Sequence, residues 1–99
     1  FFKVRGININ HPELEDFLFN YKDLADFKAE IISINDLDTL RLSIEVLHSG
    51  NSNDLVSRII NDTKIKFENT PDVIILERGT LAKEFENAVK APRFQDLRN

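Results

Sequence analysis

The chain has 99 residues, 41% of them hydrophobic and 30% charged, with a formal net charge of −4. That suits one globular domain with enough apolar side chain for a core. The acidic balance argues against a nucleic-acid partner. The absence of Cys excludes disulfides and thiolate metal sites and fits the cytoplasm, and no apolar run is long enough for a membrane span or forms a signal peptide. The chain begins at Phe1 and contains no Met, so it is expected to be a piece of a longer protein.

The first element, Phe2 to Ile9, reads as a strand whose alternation breaks in the middle. Phe2 and Val4 share one parity, Ile7 and Ile9 the other. The flip falls at Arg5-Gly6 and predicts a bulge, bend or loop. Asn10 or His11 then caps a helix: Asn10 and Glu13 have capping-box spacing, and Pro12 fits a first turn. Leu14, Phe17, Leu18 and Tyr21 form its apolar face.

A second strand is expected from Phe27 to Asn35, then turn chemistry at Asp36 to Asp38. The third strand alternates cleanly: Leu40, Leu42, Ile44 and Val46 face a core, while Thr39, Arg41, Ser43 and Glu45 face water. The two strands make an antiparallel hairpin. A polar loop, His48 to Asp54, leads into a helix marked by Leu55, Val56, Ile59, Ile60 and Thr63 that reaches to about Phe67. Glu68 to Pro71 breaks it, and Asp72 to Glu77 is a short apolar strand. Leu81, Phe85, Ala88 and Val89 allow a short last helix that Pro92 stops.

The order β-α-β-β-α-β predicts an α+β, ferredoxin-like two-layer sandwich, with an antiparallel sheet and two helices on one face. A basic C-terminal tail or short helix is added. Residues 1–99 read as a single domain, with 79–99 as a C-terminal arm.

Chemistry-bearing constellations are sparse. His11 and His48 stand at a helix start and in a polar loop, where capping or solvent exposure explains them. The Ser residues lack a nucleophile-elbow context, Asp36 and Asp38 read as turn residues, and Gly6, Gly50 and Gly79 are too scattered to cradle phosphate. Glu13, Glu15, Asp16, Asp23, Asp26 and Glu30 read as a solvated face, so no metal site is expected. The order also suits an RNA-recognition fold, but the third strand carries no aromatic on which a base could stack. The tail carries Lys83, Lys90, Arg93 and Arg98. A solvated helix face accounts for these. A lysine on a terminal arm can also reach a neighbouring site and neutralise phosphate charge.

Two stretches together resemble the C-terminal domain of adenylate-forming acyl-CoA ligases of the phenylacetate-CoA ligase type. Arg5-Gly6, Ile7-Asn8-Ile9, Pro12 and Leu14 to Leu18 match, in order, the segment that follows the hinge in that family. Gly79-Thr80-Leu81, Lys83 and Asp96-Leu97-Arg98 match its end. The resemblance covers nearly the whole chain in element order. It implies a mobile domain, inactive alone, that completes the active site of an ATP-dependent carboxylate-CoA ligase. Its partner would be the N-terminal adenylation domain of the same chain, with homodimerisation of the parent enzyme left open. The parent would use ATP and CoA with Mg, and none of these is expected on the isolated domain. In one pose a lysine near the C-terminus supports adenylation; in the other the Arg-Gly segment faces the active site and helps build the thiol channel.

The resemblance thus implies Lys90 and Lys83 as candidate catalytic residues, and Lys3, Arg5 and Gly6 as candidate cofactor-binding residues. The ungapped alignment from Gly79 puts Asn87 where the family has its terminal lysine and Glu86 at the preceding Gly. Lys90 lies three residues later. Either the loop is rebuilt and Lys90 takes the role, or the lysine is lost.

Two other classes of function stay open. A βαββαβ domain can be an ACT-like small-molecule-binding regulatory module, or a non-catalytic interaction domain. Arg5-Gly6 can likewise be a bulge that serves only the twist of the sheet.

Overall fold

In the computed structural model, which describes residues 1–47, 52–87 and 93–98, the parity flip near the start of the chain is a hairpin. β1 (Phe2–Val4) and β2 (Ile7–Ile9) pair antiparallel, with Val4 opposite Ile7 and Phe2 opposite Ile9. Directly opposed residues of such a pair project to the same face. The two parities are therefore one apolar face folded back on itself, and Phe2, Val4 and Ile9 are all buried. Arg5 and Gly6 are the two loop residues, with φ of 51° and 81°. Positive φ at both central positions is the mark of a type I′ turn. The single broken strand expected from Phe2 to Ile9 is thus two strands that form a small sheet of their own.

The helix α1 (His11–Phe19) starts where the capping signals place it. The Asn10 side chain accepts from the Glu13 amide at 3.2 Å, and Pro12 occupies the first turn, where its missing N–H costs nothing. Leu14 and Leu18 are fully buried one turn apart.

β3 (Leu24–Ile34) and β4 (Leu37–Val46) form the long central hairpin. Asn35 and Asp36 turn it, again with positive φ, 50° and 65°. β3 begins earlier than Phe27 because a register irregularity between Leu24 and Asp26 lets the strand continue toward α1. α2 (Ser52–Phe67) carries the chain back along β4, so β5 (Asp72–Ile75) pairs parallel to β4. β6 (Phe94–Asp96) adds parallel to β3 on the other side. The four-stranded order is β5-β4-β3-β6.

The α+β class holds, and so does the packing of α1 and α2 against one sheet face. The sheet is mixed, not antiparallel throughout. The first strand, which a βαββαβ order would place in the sheet, is used up in the β1–β2 hairpin, and two edge strands arrive through crossovers that make them parallel.

Across the central hairpin Phe27 faces Ile44, Ala29 faces Leu42 and Ile31 faces Leu40. These six are buried with Leu14, Leu18, Leu55, Ile59, Phe67 and the hairpin's Phe2, Val4 and Ile9 in one core. Leu55, Ile59, Thr63 and Phe67 recur at helical spacing down the inner face of α2.

The reverse sheet face is not all solvated. A third helix, α3 (Thr80–Asn87), is hydrogen-bonded to the end of it through Glu45. Ser43 and Glu45, expected to face water, are each only 3% exposed. The alternation of β4 marks its two faces, but the cover over the polar one comes from α3 and is not visible in it.

Candidate functional site

The two ends of the chain meet beside the turn of the central hairpin. Arg5 donates through Nε to the Asp38 carbonyl at 3.0 Å. Arg98 donates through Nη1 to the Lys3 carbonyl at 2.9 Å and to Asp38 Oδ2 at 2.8 Å. Its Nε and Nη2 grip both oxygens of Asp96, at 2.9 and 2.6 Å. Three of the expected site residues, Lys3, Arg5 and Gly6, therefore lie together, with Asp38 and Arg98 beneath them. An open cleft of about 670 Å³, lined by Ile32, Ser33, Asp38, Leu97 and Arg98, runs alongside.

The electrostatics of this corner are set by Arg98. Hydrogen bonds from its guanidinium and its amide hold the Asp96 carboxyl down at about 2. The same contacts, with Asp38, hold the Arg98 guanidinium still more firmly protonated. Five fixed donors in a planar fork make Arg able to serve several acceptors at once. Asp38, read from the sequence as a turn residue, lies within β4 and is a junction: its side chain takes Arg98 and its backbone takes Arg5. Sequence reading matched the Asp96-Leu97-Arg98 finish but assigned it no partner, because nothing local links it to Lys3.

Of the lysine candidates, Lys83 lies elsewhere. Lys83 is exposed on α3, whose N-terminus is fixed to the far end of β4. β4 runs from Asp38 past Glu45, and at ~3.3 Å per residue those two positions are roughly 23 Å apart. Lys90 lies outside the described residues. Glu45 accepts from the Gly79 amide at 2.8 Å and the Leu81 amide at 2.7 Å, one per carboxylate oxygen. A carboxylate at a helix N-terminus meets unsatisfied N–H groups and the positive end of the helix dipole. Its burial is therefore compensated. Lys28 on the same face pairs with Glu84 of α3 at 2.8 Å.

Five of the six acidic residues of the first third, all but Asp16, lie in ion pairs among the described residues. Glu15 and Asp26 pair with Arg93, Glu13 with Lys66, Asp23 with Arg58 and Glu30 with Lys28. Arg93 also lies over the rings of Phe19, Phe27 and Phe85 at 5.0 to 5.5 Å. It fastens the start of β6, and its own carbonyl accepts from the Ala29 amide at 2.8 Å.

His11 is neither the cap, which is Asn10, nor fully exposed. Its ring stacks on Phe94 with centroids 4.4 Å apart and meets the edge of Phe2, also at 4.4 Å. Burial lowers its pKa from 6.5. The folded state thus prefers neutral His11. Its contribution to stability is present above pH ~6.5 and is lost as the pH falls below that value, where the unfolded chain takes up the proton more readily. His11→Phe preserves the stack and should remove this slope. Thermal unfolding between pH 7.5 and 5.5 checks it; parallel curves for both proteins would contradict the assignment.

No known family's sequence profile matches the chain, and no curated protein matches it significantly in sequence. Solved structures do match in fold. A domain of phenylacetate-coenzyme A ligase from Bacteroides vulgatus aligns with a TM-score of 0.80 and 23% identity, covering 99% of this chain and 92% of that one. A 2-hydroxyisobutyryl-CoA ligase in its thioesterification state, in complex with 2-HIB-AMP and CoA, aligns with a TM-score of 0.80 and 18% identity over 99% of this chain. The same ligase in its postadenylation state, with an HIB-AMP bound, aligns at 0.71 and 17% identity over 96%. The chain spans 21% of each of those ligase chains. The expected likeness to phenylacetate-CoA ligase domains holds at the level of the fold.

Proposed function

We propose that this chain is the small mobile domain of an ATP-dependent carboxylate-CoA ligase of the phenylacetate-CoA ligase type. It would complete an active site built mainly by a larger N-terminal domain of the same protein, where ATP with its Mg and the acid would bind. The observation that carries the proposal is the fold match at TM-score 0.80 over 99% of the chain to a phenylacetate-CoA ligase domain.

Such an enzyme joins a carboxylate to ATP, releasing pyrophosphate and forming an acyl-adenylate. A thiol then attacks the acyl carbon and AMP leaves. Each step needs charge placed where it develops and reactants held in line. In this reading Lys83 and Lys90, on the C-terminal arm, serve adenylation. Lys3, Arg5 and Gly6 serve the thiol step: the turn offers a backbone without a Cβ at Gly6 and a cation at Arg5. The distance between α3, which carries Lys83, and the turn supports the division. A rigid domain cannot bring α3 and the Arg5-Gly6 turn to one site together, so it must reorient between steps.

The test is Lys90→Ala in the parent ligase. A point charge lost from a developing phosphate costs on the order of 100-fold. Pyrophosphate exchange should fall by about that factor, while thioester formation from preformed acyl-adenylate stays within about twofold. Unchanged exchange would remove Lys90 from the adenylation step.

A further inference from the structure

β1 and β2 are three residues each, too short to hold a hairpin alone in water. One side of the hairpin is fastened by Phe2, Val4 and Ile9 in the core. Arg5 and Gly6, which follow directly on Val4, are exposed and add no side chain to that core. In a hairpin with a two-residue loop the pair flanking the loop is hydrogen-bonded and the next pair is not. Lys3 and Asn8 are that next pair. The Lys3 carbonyl therefore points away from β2, and Arg98 is what meets it, at 2.9 Å.

Arg98 is itself held from below. Asp96 accepts from Nε and Nη2 along one edge of its guanidinium. The Leu97 amide donates to the Ile31 carbonyl at 2.8 Å, which seats the segment on β3. Asp38 takes a further guanidinium proton and, through its carbonyl, receives Arg5. Two contacts reach the turn or its flank, Arg98 to the Lys3 carbonyl and Arg5 to the Asp38 carbonyl; the others seat Arg98 on the central sheet.

We infer that Arg98, braced by Asp38 and Asp96, is a positioning residue that fixes the pose of the Arg5-Gly6 turn for the thiol step. This rests on the ligase reading above. Arg98 does not touch substrate; it sets where the turn sits. Lysine cannot replace it, because one ammonium on a flexible stem does not present a planar fork to the Lys3 carbonyl, Asp38 and Asp96 together.

The test uses Arg98→Lys and Asp38→Asn in the parent ligase, both chosen to keep size. Thioester formation from preformed acyl-adenylate should fall about 10- to 100-fold, the range a displacement of about 1 Å produces. Pyrophosphate exchange should stay within about twofold. The double variant should be no worse than the poorer single one, since both break the same clasp. Amide hydrogen exchange should rise across β1 and β2 and stay unchanged in α2. Equal losses in both half-reactions with a lowered Tm would make Arg98 merely structural and overturn the inference, as would an unimpaired thioester rate. A wild-type enzyme lacking both half-reactions would instead remove the ligase reading and this inference with it.

Discussion

Glu45→Ala should destabilise the domain by about 3 kcal/mol, roughly what is lost when charge-assisted hydrogen bonds to buried donors are removed. The carboxylate accepts two amides at the start of α3, and the Leu81 amide is buried. Leu81 itself is fully buried. With Glu45 gone, that amide has no acceptor, and α3 loses its attachment to β4. For a domain of this size such a loss lowers Tm by roughly 15 °C. Glu45→Gln keeps one acceptor but puts an NH₂ against an N–H, so its cost should be intermediate. Thermal unfolding measures the total, and amide exchange of α3 shows whether the helix detaches first. A loss under about 1 kcal/mol would mean that α3 is held by something else.

The second large effect is functional. Gly6→Val should slow thioester formation about 100-fold while pyrophosphate exchange stays within about twofold. No atom among the described residues lies within 4 Å of a Cβ built at Gly6, so the Cβ itself meets no clash. The cost comes from φ of 81°, a region that costs an L-residue roughly 1–2 kcal/mol and a β-branched one more. The turn must change shape to relieve it. Gly6→Asn separates shape from bulk, because Asn tolerates the left-handed region. Asn should retain most thioester activity. Equal rates for Val and wild type would show that the turn has no part in the thiol step.

How far the sequence carries this picture depends on whether the deciding contact is local. Asn10, Glu13 and Pro12 place the start of α1 because a cap is decided within four residues. The stripe from Leu55 to Phe67 places α2 for the same reason, and the alternation of β4 picks out its buried face. The β1–β2 hairpin was visible only as a parity flip. Its turn carries Arg at a position where Asn or Asp is the usual signal, so a bulge explained the pattern equally well. β6 is three residues of a polar tail, made a strand by β3 and by Phe94 packing on His11 and Phe27. Glu45 looked solvated because α3, which covers it, follows 34 residues later. Arg98 and Lys3 are 95 residues apart, and no pattern in one sequence pairs them. The resemblance picks out segments at both ends of the chain but says neither that they meet nor what joins them.

The central claim, that this domain completes a ligase active site in two different poses, is tested most directly by removing it. The parent ligase lacking residues 1–99 should lose thioester formation from preformed acyl-adenylate by at least about 100-fold. It should also lose most pyrophosphate exchange, because both the turn and the lysine arm are gone. A truncated enzyme that carries out both half-reactions at wild-type rates would contradict the account.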